Sequence, residues 1–232
     1  MAGTVKEEAQ KLRQNLDKVY TAGQQAEYDR FWDAYLQNGN ISGSYYLFTG
    51  MGWTEDTLYP KYNVFDGLKI HYYSFFECEF AGDLAERFTS LGLGDTMAFG
   101  SSPMQAFRSM NKVTRLPILG VSKATSLNYL FTECLKLETI DKLIISNDGA
   151  TTFNSTFNNC PMLQNIRFEG VIGKDISFSN SSHLTEESVQ DIIDHLKDLT
   201  GQTAQKVTFH TDVLLKLTEE QMLAITAKNW TM

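Results

Sequence analysis

FRSMNKVTRL at 107–116, FTECLKLETI at 131–140 and FNNCPMLQNI at 157–166 are the three stretches on which the reading of this chain turns. Aligned on Phe107, Phe131 and Phe157, they carry Met110, Cys134 and Cys160 three residues on. Val113, Leu137 and Leu163 follow, then Leu116, Ile140 and Ile166. Four apolar positions agree across three units, which start 24 and then 26 residues apart. A fainter copy begins at Phe75 and carries Cys78, Ala81 and Leu84 at the same offsets. A period of this length predicts one small supersecondary unit per repeat, stacked on its neighbours. A unit this small cannot bury its apolar side alone, so stacking should align Phe over Phe, Cys over Cys and Leu over Leu. The cysteines Cys78, Cys134 and Cys160 then read as small hydrophobes in a narrow column, reduced and buried. Met110 fills the same slot in one unit, a substitution that no metal or catalytic role would tolerate.

The strand of each unit should surround Leu116-Pro117-Ile118, Ile140-Asp141-Lys142 and Ile166-Arg167-Phe168. In–out alternation would point Pro117, Asp141 and Arg167 away from the core. Arg115, Thr139 and Asn165 lie just before them and share that edge. These six residues form the candidate binding surface. Pro117 lacks a ladder donor, so its strand is expected to be short or irregular.

Outward from the repeats the chain divides into four segments. Residues 1–40 read as helices. Val5, Ala9, Leu12, Leu16 and Val19 form a two-heptad apolar seam. That seam over residues 5–20 is either a short homo-oligomerising or docking coiled coil, or an amphipathic helix folded onto its own domain. Residues 41–103 are strand- and turn-prone and rich in aromatics, with Trp53, Tyr59, Tyr62 and Phe65 among glycines. Such a cluster is a carbohydrate platform or a lid over a small core. Residues 104–175 hold the repeats, which end near Gly170. Residues 176–232 are expected to cap the stack. They run from a strand at Ile176–Phe178 to a helix opened by Thr185 and closed by Gly201, then a strand at 206–210. A capping box at Thr218–Gln221 opens a final helix over about 219–228. The expected fold class is α+β: a short, irregular α/β solenoid with N-terminal helices and a C-terminal αβα cap.

Net charge is −8 and the chain shows no run of Lys or Arg, which argues against a nucleic acid partner. No apolar stretch is long enough to span a bilayer, so no membrane insertion is expected. The first residues, MAGTVKEEAQKLRQ, lack the apolar core of a secretory signal, so the expectation is no signal peptide and a protein that is kept in the cytoplasm or leaves without a signal. The sequence has no GxGxxG, Walker, HExxH or GxSxG motif, and no CxxC pair for zinc. Its histidines, His71, His183, His195 and His210, are not at ligand spacing. The acid pairs Glu186/Glu187 and Glu219/Glu220 fit helix N-termini, and Glu77/Glu79 flank a cysteine of the faint copy. The expectation is therefore no enzyme, no catalytic residue, no metal and no cofactor.

The Phe-x-x-Cys-x-x-Leu-x-x-Ile units resemble the BspA-type leucine-rich repeat family. The flanks VYTAGQQAEYDRFWDAYLQNGN at 19–40 and GMGWTEDTLYPKYNV at 50–64 resemble repeat proteins in phages and prophages of anaerobic gut bacteria. So does the ending from LTEESVQDIIDHLKDLTG at 184–201 to LTEEQMLAITAKNWTM at 217–232. Such proteins are often found among tail or baseplate genes, so the resemblance implies a place in a virion or in the bacterial cytoplasm. The resemblance implies a leucine-rich-repeat-like virion protein that is structural or host-binding. Its partner would be a virion subunit or a host surface molecule, protein or glycan. The alternative is a soluble intracellular protein–protein interaction module of prophage origin.

Overall fold

The computed structural model describes residues 81–86, 96–98 and 103–232. The N-terminal helices expected over 1–40, the aromatic segment, and Phe75 and Cys78 of the faint copy lie outside the described residues. Within them the architecture is mixed α/β, with parallel sheets and few helices. The strands are β1 (Ala81–Asp83), β2 (Thr96–Ala98), β3 (Lys112–Gly120), β4 (Thr139–Ile144) and β5 (Asn165–Glu169), then β6 (Ile176–Phe178), β7 (Gln205–Phe209) and β8 (Trp230–Thr231). The helices are α1 (Glu186–His195), α2 (Thr211–Leu214) and α3 (Glu219–Ala227). One parallel sheet runs β1-β3-β4-β5, with β2 also on β3; the other runs β6-β7-β8.

The apolar spacing dictates this arrangement. Leu116 pairs with Ile140, and Ile140 with Ile166, so equivalent residues of successive sequence units face each other across the ladder. Phe107, Phe131 and Phe157 stack with ring centroids 5.8 and 5.6 Å apart. Met110, Cys134 and Cys160 are all buried. Each thiol donates to the carbonyl of the preceding unit's phenylalanine: Cys134 Sγ to Phe107 O and Cys160 Sγ to Phe131 O, both 3.0 Å. Both cysteines are free, and desolvation pushes the Cys134 thiol well up and the Cys160 thiol up to about 12.

The turns between strands also pair from unit to unit. Phe107 N–H donates to Leu130 O and Ser109 N–H to Thr132 O; Phe131 N–H donates to Thr156 O and Glu133 N–H to Asn158 O. To aim these donors, Gln105, Tyr129 and Ser155 take a positive φ, and so do Ser109, Glu133 and Asn159. Those positions recur 24 and 26 residues apart, the same offsets as the phenylalanines. A left-handed conformation costs a non-glycine residue about 1–2 kcal/mol, which the paired N–H groups offset.

The column continues past Gly170, where the sequence pattern fades. Phe178 stacks on Phe157 at 4.6 Å, and Phe209 on Phe178 at 6.2 Å. Ser181 takes the slot after Phe178 that cysteine takes in the units before it, and donates to Cys160 O at 3.1 Å. Leu184 is buried three residues later. From there α1 takes over the position of a strand. It packs along β5, where Ser188 Oγ accepts from Ile166 N–H at 3.0 Å and Asp191 Oδ2 from Phe168 N–H at 2.7 Å. Two groups that would seek another strand are thereby satisfied, and the edge is closed.

Several local expectations meet the structure with mixed results. Thr185 caps α1, and Thr218 and Gln221 form the capping box of α3. Helix α1 ends at His195, well before Gly201, because Leu196 turns extended and bridges to Ile172. Ala81 lies opposite Lys112 in β1 and is only half-buried, whereas Leu84 is buried in the core. Pro117 overturns one expectation, since it is buried; β3 is not short, at nine residues, but it is irregular there, with Leu116 and Pro117 both buried and Pro117 left out of the pairing with β4. The reason is local. On the other side of β3, β1 pairs only as far as Arg115 and β2 only from Ile118, so Pro117 sits opposite the gap between them.

Candidate functional site

Four strands carry one row of charge across the outer face of the first sheet: Asp83 on β1, Arg115 on β3, Asp141 on β4 and Arg167 on β5. The signs alternate. Arg115 grips Asp141 with two hydrogen bonds, Nε to Oδ1 at 2.7 Å and Nη2 to Oδ2 at 3.1 Å. Its Nη1 reaches Asp83 Oδ2 at 3.2 Å. The hydrogen bond to Asp141 raises the guanidinium pKa further above its ordinary value. Beside this row Lys142 pairs with Glu169 at 3.1 Å. Arg167 is exposed and, among the described residues, makes no hydrogen bond or ion pair.

Of the six residues expected on this surface, Thr139, Asp141, Asn165 and Arg167 come together around one depression of about 210 Å³, with Ile140, Ile166, Glu187 and Ser188 completing its wall. Asn165 Nδ2 donates to Thr139 Oγ1 at 3.4 Å, and Asn165 Oδ1 accepts from Thr185 Oγ1 at 3.4 Å. Arg115 stands at the rear, holding Asp141. Pro117 does not belong to the face. A second, more open groove of about 500 Å³ between β5 and α1 shares Arg167 and Glu187 with the depression and is lined also by Glu186, Gln190, Asp191 and Asp194. The helix wall was not foreseen from the sequence. Its acids already had a sufficient explanation at a helix N-terminus, and nothing local says that α1 lies along β5.

Neither thiol nor imidazole lines the depression or the groove. Of the described histidines, His183 Nδ1 contacts Pro161 O and His210 Nδ1 accepts from Asp212 N–H to cap α2, while His195 Nδ1 contacts Asp191 O, behind the groove wall that Asp191 helps to form. Among the described residues, no cluster of His, Cys, Asp or Glu is arranged to hold a metal ion. No described helix is long and apolar enough to cross a membrane. Comparison with known protein families, curated proteins and solved structures finds no match.

Proposed function

We propose that this chain is a non-enzymatic, leucine-rich-repeat-like solenoid protein of phage or prophage origin, built into a tail or baseplate as a structural or host-binding component. The observation that carries this reading is the pairing of equivalent residues in successive units, Leu116 to Ile140 to Ile166. A parallel ladder of this kind is how solenoid proteins form an extended surface. On this reading Arg115, Thr139, Asp141, Asn165 and Arg167 belong to the recognition face, and the partner is a virion subunit or a host surface molecule. The apolar seam over residues 5–20 would serve as the docking or self-association element.

Mass spectrometry of purified particles from an induced lysogen tests the proposal. The chain is expected among the particle proteins at a fixed copy number. Its absence from particles, with the chain abundant in the same lysate, would overturn the virion reading in favour of an intracellular interaction module. Light scattering on the full chain and on one lacking residues 1–22 tests the docking segment: a loss of assembly on truncation is expected, and two monomers would refute it.

A further inference from the structure

We propose that the outer face of α3, with the turn before it, is a surface on which two copies of this chain meet about a twofold axis. The decisive feature is a position that contacts the next helix in α1 and is an exposed leucine in α3.

The two cap helices are successive versions of one unit. LTEESVQDIIDH at 184–195 and LTEEQMLAITAK at 217–228 align 33 residues apart, and Thr185 and Thr218 cap the helices they open. They follow Phe178 and Phe209, neighbours in the phenylalanine column. Helix α1 packs on β5, and α3 packs on α1. Ser188 of α1 turns back to β5, where its Oγ accepts from Ile166 N–H at 3.0 Å. Its counterpart Gln221 turns back in the same way, donating from Nε2 to Gln190 Oε1 of α1 at 3.1 Å. Gln190 therefore faces forward, to the helix that follows. Its counterpart in α3 is Leu223, which by the same spacing faces forward, and it is 67% exposed.

This end of the stack is not finished as an end. Repeat arrays close with a polar outer face, which keeps them soluble. In α1, Gln190 donates to Asp194 at 2.8 Å; in α3 that polar pair is replaced by Leu223 and the exposed Ala227. Of the seven large apolar side chains exposed among the described residues, five lie in this last segment: Leu214, Leu215, Met222, Leu223 and Met232. Leu215, in the turn between α2 and α3, is 80% exposed.

Charge selects a second copy as the occupant. A net charge of −8 makes two copies repel over most of their surfaces. The strip of Leu223 and Ala227 carries no charge. At its N-terminal end stand Lys216, Glu219 and Glu220, all exposed and, among the described residues, in no ion pair. Both signs at one end make the surface self-complementary. A twofold axis beside Leu223 sets Leu223 against Leu223, and Lys216 of each copy against Glu219 and Glu220 of the other, an isologous contact. The nine residues of α3 span only about 13 Å, so the contact is small and the dissociation constant is on the order of 100 μM. The contact does not use the seam over residues 5–20.

Sedimentation equilibrium of the full chain from about 1 to about 500 μM, a range that brackets such a constant, tests the proposal. The mean mass is expected to rise with concentration above its value at about 1 μM. Leu223→Glu, an exposed change, should keep the thermal midpoint and weaken the association at least about tenfold. Lys216→Glu, and separately Glu219→Lys/Glu220→Lys, should each weaken it about threefold at low salt, because like charges then face each other across the axis. An equimolar mixture of those two variants should recover it, because opposite charges face again. A mass that does not rise overturns the proposal. So does a rise of equal size in Leu223→Glu, which would leave self-association to the seam alone. Loss of association in Leu223→Glu without recovery in the mixture overturns the twofold pairing. A monomer in which Leu223→Glu shifts the amide resonances of residues 5–20 would give the face to the chain's own N-terminal segment, and the proposal would fail.

Discussion

Cys134 and Cys160 show how a residue can look chemical and be structural. Each is a small apolar filler whose thiol adds a second donor to a buried carbonyl: Phe107 O also accepts from Met110 N–H, and Phe131 O from Cys134 N–H. Ser181 performs a related task in the next slot, so the position accepts a hydroxyl. Burial holds both thiols neutral in the folded chain, while in the unfolded chain they ionise near the ordinary value of 9.0. A folded-state pKa raised in this way adds stability that is intact below about 9 and is lost as pH climbs from there toward about 12. Each thiol should steepen that loss by about 1.4 kcal/mol per pH unit. Urea unfolding of the wild type and of Cys134→Ser/Cys160→Ser, between about pH 8 and about pH 10.5, measures the difference. The wild type should lose more stability over the range. Parallel pH profiles would mean that the thiols are not held neutral by burial.

At the level of elements, α1 ends the first sheet by offering side-chain acceptors to β5 instead of a backbone. Removing an acceptor leaves a covered N–H unpaired, at about 1–3 kcal/mol. Asp191→Ala and Ser188→Ala should each lower stability by that amount. Hydrogen exchange should accelerate at Phe168 in the first variant and at Ile166 in the second, with the β3–β4 amides unchanged. Unchanged exchange at both sites would show that the helix covers the edge by packing alone. This junction also marks the limit of what the sequence discloses. Phe, Cys or Met, Leu or Val, and Ile or Leu recur because each column requires an apolar side chain of similar size in every unit. The pattern blurs after Gly170 for physical reasons: Ser181 replaces cysteine, the spacing from Phe157 to Phe178 shortens to 21, and a helix displaces the strand that would carry the fourth apolar position. The positive φ at Gln105, Tyr129 and Glu133 is equally hidden, since those residue types do not favour it and only pairing with the next unit holds it. On the candidate face, Thr139, Asp141, Asn165 and Arg167 follow from strand alternation. Glu187 and Asp191 do not, because they reach the groove only through the packing of an element some twenty residues further along.

At the scale of the described molecule, one phenylalanine column runs from the turns that precede β3, β4 and β5 into the second sheet: Phe107, Phe131, Phe157, Phe178 and Phe209. The units and the C-terminal segment therefore share one core, and the stability of such a stack is close to a sum of terms within each layer and between neighbouring layers. That makes position in the column matter. Phe157 and Phe209 are both buried, at 1% and 3% exposure, so truncating either removes a similar transfer term. Phe157 has rings on both sides, at 5.6 and 4.6 Å, whereas Phe209 has one described ring neighbour, at 6.2 Å. An aromatic pair adds about 0.5–1.5 kcal/mol beyond its buried area. Phe157→Ala should therefore fall toward the upper end of the usual loss of about 3–5 kcal/mol, and Phe209→Ala toward the lower end. Urea midpoints of the two variants, with slopes unchanged from the wild type, give the comparison directly. If Phe209→Ala cost as much as Phe157→Ala, the layers would not be contributing pairwise. If instead the slope fell in Phe209→Ala alone, the C-terminal layers would be unfolding separately from the units before them, and the shared column would not be making the molecule one cooperative unit.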